Sequence, residues 1–110
     1  MWRAGLLLAG LAFVLLTQGV RAQEPTFRIV FKDGKIEPIR IEVPASTRIR
    51  LELVNEGETP AEFESTELRK EKVLAPGAQT VMVIRTLDPG EYKFFDDFHP
   101  DAPPALIVAK

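Results

Sequence analysis

Apolar and polar residues alternate along most of this chain. Phe27, Ile29 and Phe31 alternate with Arg28, Val30 and Lys32 before an Asp33-Gly34 turn. Ile39, Ile41 and Val43 alternate with Arg40 and Glu42 between Pro38 and Pro44. Ile49, Leu51 and Leu53 alternate with Arg50 and Glu52 and run into Asn55-Glu56-Gly57. A period of two sends successive side chains to opposite faces, so each segment predicts a half-buried strand with its apolar side inward. Thr80 to Arg85, Glu91 to Phe95 and Ala105 to Ala109 continue the series, with turn signals at Pro76-Gly77 and Pro89-Gly90. Ser65 to Lys72, with Leu68 as its apolar residue, reads instead as a helical turn. Strands that recur about every ten residues, with turn residues between them, are the mark of an all-β sandwich or barrel. The expected fold is a two-sheet Greek-key β-sandwich. Its expected core holds Ile39, Ile41, Val43, Ile49, Leu51, Leu53, Phe63, Tyr92, Phe94, Leu106 and Val108.

The N-terminus breaks this alternation. Arg3 supplies a positive charge, Ala4 to Leu16 is an unbroken run of apolar residues and glycine, and polarity rises at Thr17 and Gln18. Val20-Arg21-Ala22 then offers a signal-peptidase site, which predicts a cleaved signal peptide over residues 1–22 and a single domain over residues 23–110. The apolar run is short for a spanning helix, which needs about 20 such residues. The expected destination is outside the cytoplasm.

Charge and composition then narrow the function. The whole chain carries a formal charge of −2, with 16 acidic against 14 basic residues. Loss of Arg3 and Arg21 with the signal peptide makes the remainder more acidic. This balance argues against nucleic acid, which calls for a basic face, and suits a cationic partner. The chain has no cysteine, so an exported domain of this size must hold itself together by packing, without disulfides. The lack of cysteine, and of a serine that can be paired with the single histidine, leaves no nucleophilic catalytic centre to assign. No glycine-rich phosphate loop is present either.

The candidate chemistry is concentrated in Tyr92-Lys93-Phe94-Phe95-Asp96-Asp97-Phe98-His99-Pro100-Asp101. With Tyr92 and Phe94 inward, Asp96 shares their face and emerges at a strand end, and His99 follows in the next loop. A second acidic group, Glu62 and Glu64, flanks Phe63. Two readings stay open from the residues alone. The acids and the imidazole can bind a metal, or they are turn residues and a wet strand face.

The same segments resemble the cupredoxins. The resemblance rests on I-x-I-x-V-P and I-x-L-x-L-V-N-E-G followed by P-A-E-F, then A-P-G at Ala75 to Gly77 and L-D-P-G-E-Y-K-F at Leu87 to Phe94. It covers roughly Phe27 to Lys110. Against the blue-copper pattern, Asp96 stands at the cysteine position, His99 keeps the histidine position and Pro104 stands at the methionine position. The A-E-F-E-S and F-F-D-D-F-H-P-D segments are most similar to the cysteine-poor cupredoxin-like domain of bacterial periplasmic iron-uptake systems, of the EfeO type. This resemblance implies a periplasmic accessory protein that binds iron and assists its oxidation, with a membrane iron permease and other uptake components as partners. The implied metal site centres on Glu62, Asp96 and His99, with Glu64, Asp97 and Asp101 nearby. The register around Ala61 is open: if Ala61 replaces a ligand, Glu62 points to the other face and Glu64 is the fallback. Carboxylates with one imidazole suit iron, and also manganese or zinc, better than Cu(I). A non-blue copper or electron-transfer role and a metal-free interaction domain are the alternatives.

Overall fold

A computed structural model describes residues 24–110; the expected signal peptide, residues 1–22, lies outside the described residues. Among the described residues, nine strands form two sheets. They are β1 (Thr26–Lys32), β2 (Lys35–Glu37), β3 (Arg40–Val43), β4 (Ile49–Asn55), β5 (Ala61–Ser65), β6 (Lys70–Leu74), β7 (Gln79–Ile84), β8 (Gly90–Asp96) and β9 (Ala105–Ala109). One sheet has the order β2-β1-β4-β7 and the other β3-β9-β8-β5-β6. The fold is therefore the all-β Greek-key sandwich that the alternation predicts. The chain changes sheet repeatedly, and two pairs that are remote in sequence, β1 with β4 and β3 with β9, run parallel.

Local chemistry explains the turns. Asp33 (φ 46°) and Gly34 (φ 92°) both take positive φ, the two-residue hairpin connection for which Asp-Gly is well suited. Asn55 closes β4. Its side-chain amide donates to the carbonyls of Thr59 (2.9 Å) and Leu74 (3.0 Å), and its Oδ1 accepts from the Gly57 amide at 2.9 Å. Gly57 is required by contact, since a Cβ there would lie 2.6 Å from the Asp33 nitrogen. The β1–β2 turn and the β4–β5 crossover are thus packed backbone against backbone.

The core lies between the sheets and is built on Phe63 stacked against Phe94, with ring centroids 4.7 Å apart and planes at 21°. Ile29, Phe31, Leu51, Leu53 and Ile107 complete its fully buried centre. Of the expected core residues, Ile41, Val43, Ile49, Leu51, Leu53, Phe63 and Phe94 are buried in the core; Val108 is buried too, but on the face of β9 opposite Ile107 and outside the core cluster. Three expectations are corrected. Ile39 precedes β3 and is 52% exposed, because Pro38 delays the strand to Arg40. Tyr92 packs only against the edge of the core, where its hydroxyl donates to the Asp88 carbonyl at 2.8 Å. Leu106 is partly exposed, because Ala105, Ile107 and Ala109 take the inner face of β9. An apolar run such as Ala-Leu-Ile-Val-Ala does not announce which parity faces inward. The Ser65 to Lys72 segment is also not helical: it forms a tight turn and the first residues of β6.

The two kinds of apolar position should differ sharply in energy. Phe63→Ala removes a fully buried ring and is expected to cost about 3–5 kcal/mol in urea unfolding. Ile39→Ala, at an exposed position, is expected to stay within about 0.5 kcal/mol of the parent.

Candidate metal centre

Strand parity decides where each candidate ligand goes. In β5, Ala61, Phe63 and Ser65 face the core while Glu62 and Glu64 face outward. In β8, Phe94 and Asp96 are buried. Phe63 pairs with Asp96 across the two strands, so Asp96 sits beneath the sheet at one pole and Glu62 sits on its outer surface. The six expected ligands accordingly divide into separate groups.

The pole holds Asp96 and His99. Asp96 is 1% exposed. Its Oδ1 accepts from the Glu62 amide (2.9 Å) and the Phe98 amide (3.0 Å), and its Oδ2 lies 2.8 Å from His99 Nδ1. The other ring nitrogen, Nε2, is 3.3 Å from Thr59 Oγ1. The Thr59 hydroxyl donates to Asp33 Oδ1 at 2.8 Å, and the same oxygen accepts the Glu58 and Thr59 amides. These bonds hold the exposed Asp33 carboxyl below its usual range, the Thr59 hydroxyl being the largest cause. Asp101 is exposed on the β8–β9 loop, beside a shallow recess that His99 shares with Lys32, Asp33 and Lys35.

The outer face holds Glu62 and Glu64. Glu64 is directly opposite Glu71 of β6, and Glu62, Glu64 and Glu71 can each offer an oxygen within 4.8 Å of the others. Asp97, whose amide donates to the Glu62 carbonyl at 3.0 Å, adds its charge to the group. Among the described residues, no salt bridge involves Glu62, Glu64 or Glu71. Glu64 Oε2 is shielded from solvent and accepts no hydrogen bond. Partial burial first, and then neighbouring carboxylates, Asp97 beside Glu62 and Glu71 beside Glu64, raise the carboxyl groups of Glu62 and Glu64 above the usual range. Among the described residues, the set of three converging acids includes neither Asp96 nor His99.

Three participants were not legible in the sequence. Glu71 lies in the segment that reads as a helical turn, and only the β5–β6 register brings it opposite Glu64. Asp33 and Thr59 belong to turns whose meeting depends on the crossover between sheets. The Asp33-Gly34 dipeptide signals a hairpin but not its neighbour.

The same arrangement of strands occurs in known proteins. A model of the cupredoxin-like domain matches residues 5–109. The chain belongs to the cupredoxin-like domain family. An uncharacterized protein of Rickettsia prowazekii is 41% identical over 81 residues, which is 74% of this chain and 65% of that protein, so the chain spans just under two thirds of this relative. Among solved structures, auracyanin from Roseiflexus castenholzii superposes with a TM-score of 0.64 at 13% identity, covering 80% of this chain and 98% of auracyanin. The metal-binding domain of the Streptococcus pneumoniae Cu(I)-exporting ATPase CopA, solved with Cu(I), gives 0.65 at 11% identity, covering 77% and 84%. A purple cupredoxin from Nitrosopumilus maritimus gives 0.58 at 18% identity, covering 76% and 99%.

Copper of the blue type does not fit this cupredoxin-like chain. Such a site is made from a thiolate and imidazoles. Here the strand-end donor is an aspartate already engaged by three hydrogen bonds, and Ala61, not an imidazole, faces inward at the start of β5.

The crowded outer acids carry a pH signature. A carboxyl raised in the folded state binds its proton more tightly there than in the unfolded chain. Its contribution to stability is therefore full below the unfolded value, near 4.5 for glutamate, and is lost as pH rises through the folded value. In a chelator-containing buffer, Glu64→Gln is expected to raise Tm at pH 7, with the gain fading as pH falls through the raised folded value and gone below about 4.5. Thermal melts across this range test it.

Proposed function

We propose that this is an exported, periplasmic cupredoxin-like protein that binds iron as cargo through the outer carboxylates Glu62, Glu64 and Glu71. The observation that carries this reading is the convergence of three unpaired carboxylates, one of them with an oxygen shielded from solvent and lacking a donor. Glutamates placed together on one face repel each other. A multivalent cation removes that repulsion and satisfies the orphaned oxygen at once. Carboxylate oxygens are hard ligands, suited to iron or manganese and poorly suited to Cu(I). Three negative charges also stabilise Fe(III) relative to Fe(II), the property that a protein assisting iron oxidation needs. Asp97 borders the group and can orient a bound ion or its water.

The permease part of the reading rests on the A-E-F-E-S and F-F-D-D-F-H-P-D segments and their resemblance to iron-uptake domains. A carrier of this kind would deliver its ion to a membrane iron permease. An ion held at a surface cluster, with Glu71 exposed, can be handed to a second acidic site without opening the fold.

Anaerobic calorimetry with Fe(II) tests the proposal. One equivalent is expected to bind. Glu64→Gln and Glu62→Gln are each expected to weaken binding at least about ten-fold, the scale on which loss of even an outer-shell group is felt at metal sites. Glu42→Ala, on another strand face where Glu42 pairs with Lys110 at 3.1 Å, serves as control and is expected to bind as the parent does. Absence of binding, or equal affinity in all variants, would overturn the reading and leave a metal-free interaction domain.

A further inference from the structure

At the pole of the sandwich, where the blue-copper pattern sets a strand-end ligand and a loop histidine, this chain joins the two residues to each other. We infer that the pole of this protein takes no metal and serves instead as a hydrogen-bonded clasp, Asp96–His99–Thr59–Asp33, that ties the two sheets together.

Distance is the first ground. Asp96 Oδ2 and His99 Nδ1 are 2.8 Å apart. A metal held between them at about 2.0–2.2 Å from each, at a tetrahedral angle, would need them roughly 3.4 Å apart. A separation of 2.8 Å fits a shared proton.

Satisfaction is the second. Oδ1 of Asp96 already accepts two backbone amides, so the buried carboxylate has no need of a cation. A carboxylate removed from water is costly unless it is bonded in this way, and three donors, one of them an imidazole, meet that requirement. The remaining ring nitrogen of His99 faces the Thr59 hydroxyl, and the ring lies against Gly34, where a Cβ would meet its carbons at 3.4 Å. The recess outside His99 is bordered by Lys32 and Lys35 as well as by Asp33 and Asp101, so it offers a cation no net attraction.

Connectivity is the third. Asp96 ends β8, and its partners are the β5 backbone and the β8–β9 loop, all in the five-stranded sheet. Thr59 lies on the crossover from β4 to β5, and Asp33 forms the β1–β2 turn of the four-stranded sheet. The chain of contacts therefore runs from one sheet to the other at the same end of the sandwich. The clasp uses the Glu62 backbone amide but none of the outer carboxylates, so those side chains can bind an ion, or fail to, with its bonds intact.

The test follows the imidazole directly. Long-range nitrogen–proton NMR spectra of the exported protein are recorded while Zn(II), and separately Cu(I), are added; both ions are diamagnetic. The expected result is that the two ring-nitrogen shifts of His99 stay constant through one equivalent. A metal-dependent shift of either nitrogen overturns the inference. In parallel, His99→Ala is expected to change Zn(II) affinity less than two-fold and to speed amide exchange at Glu62 and Phe98 roughly ten-fold, the scale of one lost hydrogen bond. A ten-fold loss of affinity, or unchanged exchange at both amides, overturns it as well. If His99→Ala does not fold, Thr59→Val provides the same reading, with a fall in Tm of about 5 °C and unchanged Zn(II) affinity expected.

Discussion

A carboxylate that is 1% exposed governs one end of this sandwich. Asp96 sits at the last position of β8, on the same face as Phe94, and the alternation that buries the ring also buries the charge. An ionised group in such a place must be met by donors, and the backbone has been shaped to supply them. The amide of Phe98 turns back as the strand ends, and His99 follows one residue later within reach of the second oxygen. The third donor, the amide of Glu62, comes from the neighbouring strand. Position of the β8–β9 loop, register of β5 against β8, and orientation of the imidazole all answer to this one requirement.

The consequences spread through strand parity. With the Glu62 amide directed at Asp96, the Glu62 side chain leaves on the opposite face, and Glu64 goes with it. The outer cluster is thus fixed by the same bond that closes the pole. A one-residue slip of β5 would send both glutamates into the core and Phe63 into water. The stack of Phe63 on Phe94 resists that slip from below, and the Asp96–Glu62 bond resists it at the strand's end. A chain without cysteine depends on such local agreement between packing and polar bonds, since no covalent link can hold a wrong register in place or a right one against fluctuation.

Much of the fold was legible because its strands obey a simple period. Phe27 to Lys32, Ile39 to Val43 and Ile49 to Leu53 declare both their type and, with the exception of Ile39, their inner face. Where both parities are apolar the signal is lost, as in β9, and Leu106 was placed inside when Ile107 is. The candidate residues were legible one by one more than in their arrangement. Asp96 and His99 do meet, as their spacing and the family pattern imply. Glu62 lies one residue from the position that would have let it join them, and period two makes one residue the difference between two faces. Glu71, Thr59 and Asp33 reach their partners through pairings separated by many residues, which no local pattern records.

The two acidic groups of this chain answer the same electrostatic problem in opposite ways. At the pole, one carboxylate is enclosed and supplied with protein donors until nothing further is required of the surroundings. On the outer face, three carboxylates have no lysine, arginine or backbone partner among the described residues, although Arg69 and Lys70 lie close by along the chain. A structure built only for stability would have paired them, as it pairs Glu42 with Lys110 and Arg28 with Glu52. Surface pairs of this kind contribute under about 1 kcal/mol, so leaving them out costs little. Placing like charges opposite each other, Glu64 against Glu71, is a different matter, because it opposes the β5–β6 pairing itself. A cation bound there, as proposed, would relieve that repulsion, and its release would restore it. Binding and release at this face would then act on the outermost hairpin of the sheet, while the clasped pole, already satisfied, would hold the rest of the sandwich unchanged.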